Sequence, residues 1–494
     1  MAYVHGVRTS EVATSLLPAA EVDSAITIVI GTAPINQVDE TNVNKPVLCY
    51  SYAEAVKAFG FQKATLKDTG FKNYDFTLSE AMYAFFQLYN VAPVVFVNVL
   101  DPKKHKETAK TTSLTIDKKT GSATIKEAGI LLSSLVLRKD AGSEPYVLGV
   151  DYVTEFDDDG YVVVTSLTDT STTDFKLATD ADIVVAAEVL DPSKVTSDDI
   201  IGGVNADGVK SGLELVEDVF PKFRVAPSII ACPRYSGDPG VAAVMSAKAD
   251  GFNDIFKAIA LIDVPSTVKN YTDVPTYKNN NNLTSTNEVV LWPCLNMSGT
   301  IYNFSSQFAA LLAEVDDDNS GIPYVSPSNK NIQCTGLCLA DGTEIIVDNS
   351  RGSYLNGNGI VTANNMFSGW VAWGNRTGAY PGNTDVKDVF IPVRRMFNFI
   401  SIQLAKTFWQ RIDFPLNRRQ IDTVLDSANI LLNGYTSKGY ILGGRVEFLE
   451  SENPTTDLMD GKAVFHVYIT PPSPNREIDF VLEYDPSYLQ TLFA

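Results

Sequence analysis

Residues 463–470 read AVFHVYIT and residues 478–484 read IDFVLEY, and Pro471, Pro472 and Pro474 separate the two segments. Apolar side chains recur at every second position in both segments, which predicts a pair of β-strands. Because a strand near a chain end has few covalent neighbours, its free N–H and C=O groups can pair with the sheet edge of another chain. Two interpretations follow: the last strand closes its own sheet, or it is exchanged between subunits.

Two apolar helical stretches after residue 386 precede these strands, and they are rich in basic residues. The basic residues from 394 to 419 are Arg394, Arg395, Lys406, Arg411, Arg418 and Arg419, against the single acidic residue Asp413. Residues 140–199 have the opposite bias, with fifteen acidic residues against two lysines. The basic cluster fits either a solvated helix face with internal ion pairs or a contact with an acidic partner, whereas the acidic region is expected to face water.

Strand and helix patterns alternate in the first hundred residues and again after residue 200. In the first part, strands are predicted at 26–31 and 94–99, and helices at 52–59 and 78–88. In the second part, helices are predicted at 213–220 and 241–259, and strands at 228–232 and 258–262. This alternation is typical of α/β domains with a parallel sheet.

The segment between these two parts has a different character. Residues 113–189 contain short runs rich in Thr and Val, separated by turn signals such as DDDG at 157–160. We predict an inserted β-sandwich-like domain at residues 105–199, because an insertion at exposed loop ends leaves the parent core intact. Residues 1–20 show little periodicity and predict an N-terminal arm that is mobile unless a neighbour binds it.

A set of short segments resembles the contractile tail sheath protein family. These segments are HGV at 5–7, NKPVL at 44–48, FG at 59–60, GG at 202–203, PYVSPSNK at 323–330, WGNRT at 373–377, DVF at 388–390, VRRMF at 393–397 and GGRV at 443–446. The resemblance covers residues 1–104 and 200–494. No single segment is diagnostic, but together they follow the order found in the family, which makes the resemblance specific.

The resemblance implies an α/β multidomain fold with a defined division of the chain. It implies a subtilisin-like central domain at 21–104 and 200–384, the β-rich outer domain at 105–199, and an α+β C-terminal sheath domain at 385–494 whose residues 475–494 form a C-terminal arm. In this family, subunits form six-fold rings that stack helically, linked by terminal strands added to a neighbour's C-terminal sheet. The residues expected in these arms are Tyr3, Val4, Val7, Ile478, Phe480, Leu482 and Tyr484.

The resemblance also implies a structural function. The expected protein is a sheath subunit of a contractile virion tail, assembled in the host cytoplasm, which drives a tail tube through a cell envelope. Its expected partners are further copies of itself, the tail tube protein, and the baseplate and tail terminator proteins, with Arg411, Arg418 and Arg419 facing the tube. The sheath of a bacteriocin-like or secretion particle is an alternative of the same class. A subtilisin-like hydrolase and a cell-surface adhesin are alternatives of other classes.

Composition limits these alternatives. The formal net charge of −20 argues against a nucleic-acid-binding protein, because such proteins cluster Lys and Arg on the binding face. The longest apolar run, at residues 91–100, is too short to span a bilayer, so membrane insertion is not expected. The absence of a signal-peptide pattern argues against the adhesin. Five cysteines in 494 residues fit folding in a reducing compartment.

The histidines do not fit a hydrolase. His5 lies in the predicted arm, His105 at the border of the insertion, and His466 in a late strand. None of them is predicted at a strand-to-helix turn beside an Asp and a nucleophilic Ser, as a catalytic triad requires. We therefore expect no catalytic residue and no cofactor.

The candidate metal sites are also incomplete. Cys334 and Cys338 lack the further Cys or His ligands of a zinc site and are interpreted as packed thiols. The stretch 316–321 resembles the start of a calcium-binding loop, but Pro327 stands where the bidentate Glu should be. We interpret this stretch as an acidic turn and 157–160 as a hairpin turn, and expect no metal.

Overall fold

The computed structural model describes residues 23–38, 40–169, 171, 174–367 and 369–493. The strands up to the end of the acidic region are β1 (Thr27–Gly31), β2 (Val47–Cys49), β3 (Thr65–Leu66), β4 (Lys72–Asn73), β5 (Val94–Asn98), β6 (Lys106–Thr115), β7 (Ser122–Ile125), β8 (Val136–Arg138), β9 (Tyr152–Phe156), β10 (Val162–Ser166) and β11 (Asp182–Leu190). The later strands are β12 (Gly203–Val204), β13 (Lys210–Ser211), β14 (Ile229–Ala231), β15 (Ile259–Asp263), β16 (Glu288–Leu291), β17 (Cys294–Met297), β18 (Thr300–Tyr302), β19 (Gly336–Cys338), β20 (Glu344–Ile345), β21 (Ile360–Asn364), β22 (Val371–Trp373), β23 (Gly443–Glu447) and β24 (His466–Thr470). The α-helices are α1 (Tyr52–Phe59), α2 (Thr77–Tyr83), α3 (Ser197–Ile201), α4 (Val216–Phe223), α5 (Pro239–Asp250), α6 (Val274–Asn280), α7 (Phe304–Asp317), α8 (Asn349–Asn356), α9 (Val386–Val389), α10 (Ile391–Phe408), α11 (Arg418–Ser437) and α12 (Thr455–Met459).

The largest sheet has eight strands in the order β2-β5-β1-β14-β15-β16-β21-β22. The inner six strands run parallel, and β2 and β22 join the two edges in antiparallel orientation. Every residue of β1, β5, β14 and β16 is buried, which requires cover on both faces of the sheet. Helices α5 and α7 both pack against β14 and β15. The alternating pattern of the sequence thus correctly predicts a parallel sheet at the main core.

Local sequence explains why the predicted elements form where they do. The side chain of Ser51 caps α1 by accepting a hydrogen bond from the backbone N–H of Glu54 at 3.3 Å. Gly60 then ends this helix with a φ of 75°, a conformation that side chains with a Cβ rarely adopt. The predicted helix at 52–59 is confirmed, and the strands predicted at 26–31 and 94–99 are confirmed to within one residue by β1 and β5.

The single helix predicted over 241–259 is wrong beyond residue 250. Helix α5 ends at Asp250, and β15 begins at Ile259. Between them, the backbone N–H of Phe252 donates to the carbonyl of Phe256 at 3.0 Å, and both rings are buried. The four-residue spacing of these apolar side chains therefore reflects a buried turn instead of a helix face.

The other helix predictions hold with local changes. The pattern at 78–88 is divided between α2 and a π-helical turn at Ala84–Leu88. The pattern at 213–220 begins as a 3-10 helix at Gly212–Leu215 and continues as α4. These tighter and wider turns keep the same apolar side chains buried, so the sequence pattern does not distinguish them from α-helix.

Residues 106–190 form two three-stranded antiparallel sheets, β7-β10-β9 and β6-β11-β8. Val164 of the first sheet and Ile183 of the second belong to one hydrophobic cluster that is separate from the main core. An ion pair between Lys63 and Asp159 at 2.6 Å connects this unit to the rest of the chain. Two sheets around a shared core correspond to the predicted β-sandwich, while the boundaries at 105 and 199 stay a prediction.

The C-terminal region contains the two predicted helical stretches, α10 and α11. Met396 of α10 and Leu432 of α11 belong to a third hydrophobic cluster together with Val446 of β23. Ile322, in the loop after α7, is also part of this cluster. The third cluster therefore joins the C-terminal helices both to the β23–β24 sheet and to the end of α7.

Candidate assembly surfaces

Strands β23 and β24 form a two-stranded antiparallel sheet in which Glu447 lies opposite His466. Helix α11 packs against β23. The side chains of the β24 segment that pack against the third cluster are Phe465, Val467 and Ile469. On the outer edge of β23, the side chain of Asn429 in α11 accepts a hydrogen bond from the N–H of Val446 at 2.9 Å and donates one to its C=O at 3.1 Å. Within the described ranges no further strand pairs with this sheet, so the outer edge of β24 carries backbone N–H and C=O groups without a ladder partner. Edges of this kind can accept a strand from another chain.

Polar side chains hold the register of this small sheet. The guanidinium of Arg445 lies 3.9 Å from the ring centroid of Tyr468 and 2.7 Å from the carboxylate of Glu447. The Nδ1 atom of His466 lies 2.7 Å from the carboxylate of Glu452, outside the sheet. The contact between Arg445 and Tyr468 joins the two strands, and none of these side-chain contacts uses the backbone of the outer β24 edge.

The prediction that residues 478–484 form a second strand is wrong for the single chain. Neither helix nor strand occurs between Thr470 and Pro486. Ile478, Phe480, Leu482 and Tyr484 are between 66% and 94% exposed. The reason is that a strand requires a ladder partner, and the prolines at 471, 472 and 474 cannot donate the hydrogen bonds that would return the chain along β24. The segment is an apolar surface that the rest of the described chain does not cover.

The N-terminal arm residues Tyr3, Val4 and Val7 lie outside the described residues. The described chain begins at Asp23, and Ser24 is held firmly in place. Its backbone N–H donates to the carbonyl of Gly321 at 3.1 Å, and its hydroxyl donates to Asp316 at 2.8 Å.

Arg395 belongs to the basic stretch, but it is buried in an ion pair with Asp316 in the last turn of α7. One guanidinium nitrogen donates to Asp316 at 2.9 Å, and the other donates both to this carboxylate and to the carbonyl of Ser24. Burial raises the pKa of Asp316, and the Arg395 charge opposes this rise. The interpretation of Asp316 as part of an acidic turn is wrong, because α7 continues to Asp317 and the turn begins at Asp318.

The remaining basic residues differ in their exposure. Arg394 is largely buried and lies 3.2 Å from Asp388, while half-buried Arg411 lies 5.1 Å from the ring centroid of Phe414. Arg418 is 83% exposed and pairs with Asp422 at 2.9 Å, one helical turn further along α11. Arg419 is also exposed. The basic stretch is thus divided between internal ion pairs and an exposed pair of arginines at the start of α11.

The loop between α10 and α11 adds apolar side chains next to these arginines. Trp409, Ile412, Phe414 and Leu416 are all exposed. A cavity of about 760 Å³ lies between this loop and the β23–β24 sheet, and Phe465 and Val467 contribute to its lining. Periodicity does not single out these residues, because Trp409 lies in a short 3-10 helix at Trp409–Arg411 and the other three lie in the loop that follows it.

The histidine within the border of the insertion has a structural environment. His105 is buried, its Nδ1 accepts a hydrogen bond from the backbone N–H of Asp101 at 2.9 Å, and its Nε2 lies 3.4 Å from Asp199. These contacts join the two chain segments that enter and leave the insertion.

The candidate metal-binding segments also have internal partners. The carboxylate of Asp157 accepts the backbone N–H groups of Asp159 and Tyr161, which confirms the hairpin turn. Burial raises the pKa of the Cys334 and Cys338 thiols to about 12. Among the described residues, no group of three His, Cys, Asp or Glu is arranged to hold a metal ion, and no helix is long and apolar enough to cross a membrane.

Comparison with known proteins identifies the family. The chain is 31% identical over 505 aligned residues to the tail sheath protein of Burkholderia phage BcepMu, covering 99% of this chain and 98% of the phage protein. The chain belongs to the contractile tail sheath family. It is also 26% identical over 318 residues to a putative prophage major tail sheath protein of Pseudomonas aeruginosa, covering 62% of this chain and 78% of that protein. No protein-family model matches the chain.

Solved structures of other contractile particles share the fold of this sheath protein. A chain from the PVC sheath complex of an extracellular contractile injection system in the contracted state matches with a TM-score of 0.58 and 13% identity, covering 99% of both chains. A chain from the baseplate of the anti-feeding prophage matches with a TM-score of 0.57 and 15% identity, covering 98% of this chain and 100% of that chain. At such low identity these matches establish the fold, a mixed α/β architecture with several sheets.

Proposed function

We propose that this sheath protein polymerises as stacked six-fold rings around a tail tube and contracts to drive the tube through a cell envelope. The observation that carries the proposal is the combination of a two-stranded sheet with an open β24 edge and an exposed apolar C-terminal segment in the same subunit. The sheet edge and the C-terminal segment both lack a strand partner within the described single chain. Between subunits, the backbone N–H and C=O groups of one can form hydrogen bonds with those of the other. The role is structural and does not involve catalysis.

Strand addition explains how such subunits stay linked while they move. Residues 478–484 of one subunit would pair with the free edge of the β23–β24 sheet of a neighbour. The N-terminal arm, with Tyr3, Val4 and Val7, would be added to the C-terminal sheet of a neighbouring subunit in the same way. The bonds of an added strand connect backbone groups, so they persist while the rigid bodies of the subunits rotate. The proline-containing segment 471–477 has no helix or strand in the single chain and would serve as the connection between each body and its arm.

The body of the subunit would carry the remaining contacts. We assign a subtilisin-like central domain to 21–104 and 200–384, an outer domain to 105–199, and a C-terminal domain to 385–494. Exposed Arg418 and Arg419, with Arg411 beside them, would face acidic groups on the tail tube. The baseplate and the tail terminator would bind the two ends of the sheath, which would assemble in the host cytoplasm.

Truncation tests the strand-addition mechanism. Deleting residues 1–20, or everything after Pro474, is expected to abolish polymerisation, as seen by electron microscopy, and to leave a folded subunit, as seen by circular dichroism and thermal unfolding. The second deletion removes exposed side chains, so it should not disturb the core. Striated tubes or stacked rings of normal length from either truncated protein would contradict the mechanism.

A proline substitution gives a finer test of backbone pairing. Val481→Pro removes one backbone N–H from the exposed segment, and Val481→Ala keeps it, so the two variants differ in their capacity to form a β-ladder. We expect Val481→Pro to reduce polymer yield strongly and Val481→Ala to reduce it weakly. Equal yields from both variants would show that backbone pairing of this segment is not required.

A further inference from the structure

A cavity of about 770 Å³ lies where the N-terminal segment enters the body. Helices α10 and α11 form one side of it, and the loops that follow α4 and α7 form another. Its lining includes the apolar side chains of Phe399 and Ile430. The charged residues of the lining are basic Arg224, Lys406 and Lys438 and acidic Asp23 and Asp317. We call this cavity the α10–α11 groove. It is distinct from the β23–β24 sheet and from the cavity beside the α10–α11 loop.

One face of α11 in the groove has an unusual composition. Ile430 and Gly434 of α11 and Lys438, the residue that caps its C-terminus, follow each other at intervals of four residues, so they lie on the same side. Ile430 is 52% exposed, although the opposite face of α11 is buried in the third hydrophobic cluster. A Cβ atom added to Gly434 would meet nothing within 4 Å. A glycine inside a helix reduces helix stability, and here it creates a site where another backbone can approach closely.

The position of the chain start connects the groove with a specific occupant. Asp23, the first described residue of the chain, itself lines the groove. Ser24 is held by Gly321, Asp316 and Arg395 through three hydrogen bonds of 2.8 to 3.1 Å. These bonds fix the point from which the preceding residues start, and an extended chain of eleven residues reaches roughly 36 Å from there, which is more than the length of the exposed α11 face.

We propose that residues 12–22 of the same chain occupy the α10–α11 groove and cross α11 at Gly434. This segment reads VATSLLPAAEV. Its leucines and valines suit the apolar lining, and its alanines allow close approach to the glycine. Its single charged residue, Glu21, is opposite in sign to the three basic residues of the lining, which outnumber the acidic Asp23 and Asp317. Residues 1–11 are then the part of the arm that a neighbouring subunit can bind.

Hydrogen exchange of unpolymerised subunits tests the seating directly. Deletion of residues 1–20 should make peptides that cover 428–440 exchange roughly tenfold faster, because they lose their cover. Deletion of residues 1–11 should leave this protection unchanged, although it removes Tyr3, Val4 and Val7 and should abolish polymerisation. Peptides from the insertion, which is remote from the groove, serve as an internal control in both proteins. Equal exchange at 428–440 in all three proteins would overturn the seating without bearing on strand addition.

A substitution at the crossing point tests the role of the glycine. Gly434→Leu in the full chain should displace the segment and speed exchange at both 12–22 and 428–433. Asn433→Leu adds the same side chain at an exposed position about 100° around the helix and should have no such effect. If Gly434→Leu only slows exchange of α11, as expected from its higher helix propensity, then no backbone crosses there and the proposal is wrong.

Cysteine cross-linking separates the chain's own segment from that of a second copy. The double variant Leu17→Cys with Ile430→Cys should form a disulfide within one chain when a small-molecule disulfide such as oxidised glutathione supplies the oxidant, which is reduced to two thiols. An equal mixture of the two single variants should give no cross-linked dimer. A dimer in the mixture would mean that a second copy supplies the occupant, and the absence of a cross-link in the double variant would mean that the groove is not its site. Either result overturns the proposal.

Discussion

The eight-stranded sheet and the two-stranded β23–β24 sheet of this sheath protein solve the edge problem in opposite ways. In the large sheet, β2 and β22 are the edge strands and pair antiparallel with the outermost parallel strands, and the inner strands are buried on both faces. The small sheet has two strands. The outer edge of β24 is open, whereas the side chain of Asn429 occupies the N–H and C=O of Val446 on the β23 edge. The apolar residues of the large sheet stabilise the subunit, whereas those of the segment 478–484 are exposed in the single chain.

This difference separates folding from assembly within one chain. A two-stranded sheet is marginal by itself in water, and here α11 and the third hydrophobic cluster support it from one side. The subunit can therefore fold with the outer edge of β24 unpaired, and the proposed strand addition would extend a sheet whose register is already set. Substitutions should accordingly fall into two groups, one affecting the unfolding free energy and the other affecting polymerisation.

The largest effect on stability is expected at the connection between the two regions. Asp316→Ala leaves the buried charge of Arg395 without its partner and should lower the unfolding free energy by about 3–5 kcal/mol. Chemical denaturation of the unpolymerised subunit measures this change. Asp422→Ala removes the partner of exposed Arg418 and is the matched control, with an expected change below about 1 kcal/mol. Similar losses for both variants would remove the distinction between the buried and exposed pairs.

Matched isoleucine substitutions compare the two regions directly. Ile28 of β1 is fully buried, so Ile28→Ala should lower the unfolding free energy by about 2–4 kcal/mol. Ile478 is 66% exposed, so Ile478→Ala should change it by less than about 0.5 kcal/mol and should instead raise the protein concentration needed for polymerisation. A loss of stability at Ile478 comparable to that at Ile28 would show that the C-terminal segment belongs to the folded body.

The stability of the folded subunit should also depend on pH through Glu80 of α2. Its fully buried carboxylate lies against the start of α7. Burial raises its pKa from 4.5 to about 7, against the opposing hydrogen bonds from Ser306 and Asn303. Between pH 4.5 and about pH 7, the folded subunit binds more protons at Glu80 than the unfolded chain does. The unfolding free energy therefore falls as pH rises through this range. Denaturation at pH 5 and pH 8 should show a loss on the order of 1–3 kcal/mol in the native protein that is reduced in Glu80→Gln. An identical pH dependence in the variant would exclude Glu80 as its source.

The smallest effect on folding is expected at the proposed tube contact. Charge reversal by Arg418→Glu and Arg419→Glu should change the unfolding free energy by about 0.5 kcal/mol or less, because both side chains are exposed. Co-sedimentation with purified tail tubes should nevertheless weaken. Lys118→Glu together with Lys119→Glu, which reverses two exposed charges in the insertion, is the charge-matched control. Unchanged binding to tubes after reversal of both arginines would exclude them from the contact.

The individual elements show what periodicity can predict. The helix at 52–59 is predicted correctly because its cap, its apolar face and its terminal glycine all lie within ten residues of sequence. The overlong helix at 241–259 shows the limit, since buried Phe252 and Phe256 have helical spacing but lie in a turn. The strand at 478–484 shows another limit, because its alternation is real but its partner is not available within the single chain.

The candidate site could be predicted only in part. The arm residues from Ile478 to Tyr484 stand out by their alternation, and the exposed arginines of α11 stand out by charge. The exposed loop at 409–417 and the α10–α11 groove have no periodic signal, because each depends on how separate helices are placed. Basic composition alone also does not distinguish buried Arg395 from exposed Arg418.

The sequence by itself determined the alternation of helices and strands, the β-rich insertion, the resemblance to sheath proteins, and the apolar pattern of the C-terminal segment. These features depend on residues that are close together along the chain. Only the tertiary structure decided that Arg395 pairs with Asp316 across 79 residues, that β23 pairs with β24, and that the outer edge of β24 stays open. The physical reason is that a charge, a strand edge or an apolar face acquires its role from what covers it, and that cover comes from distant parts of the chain or from another subunit.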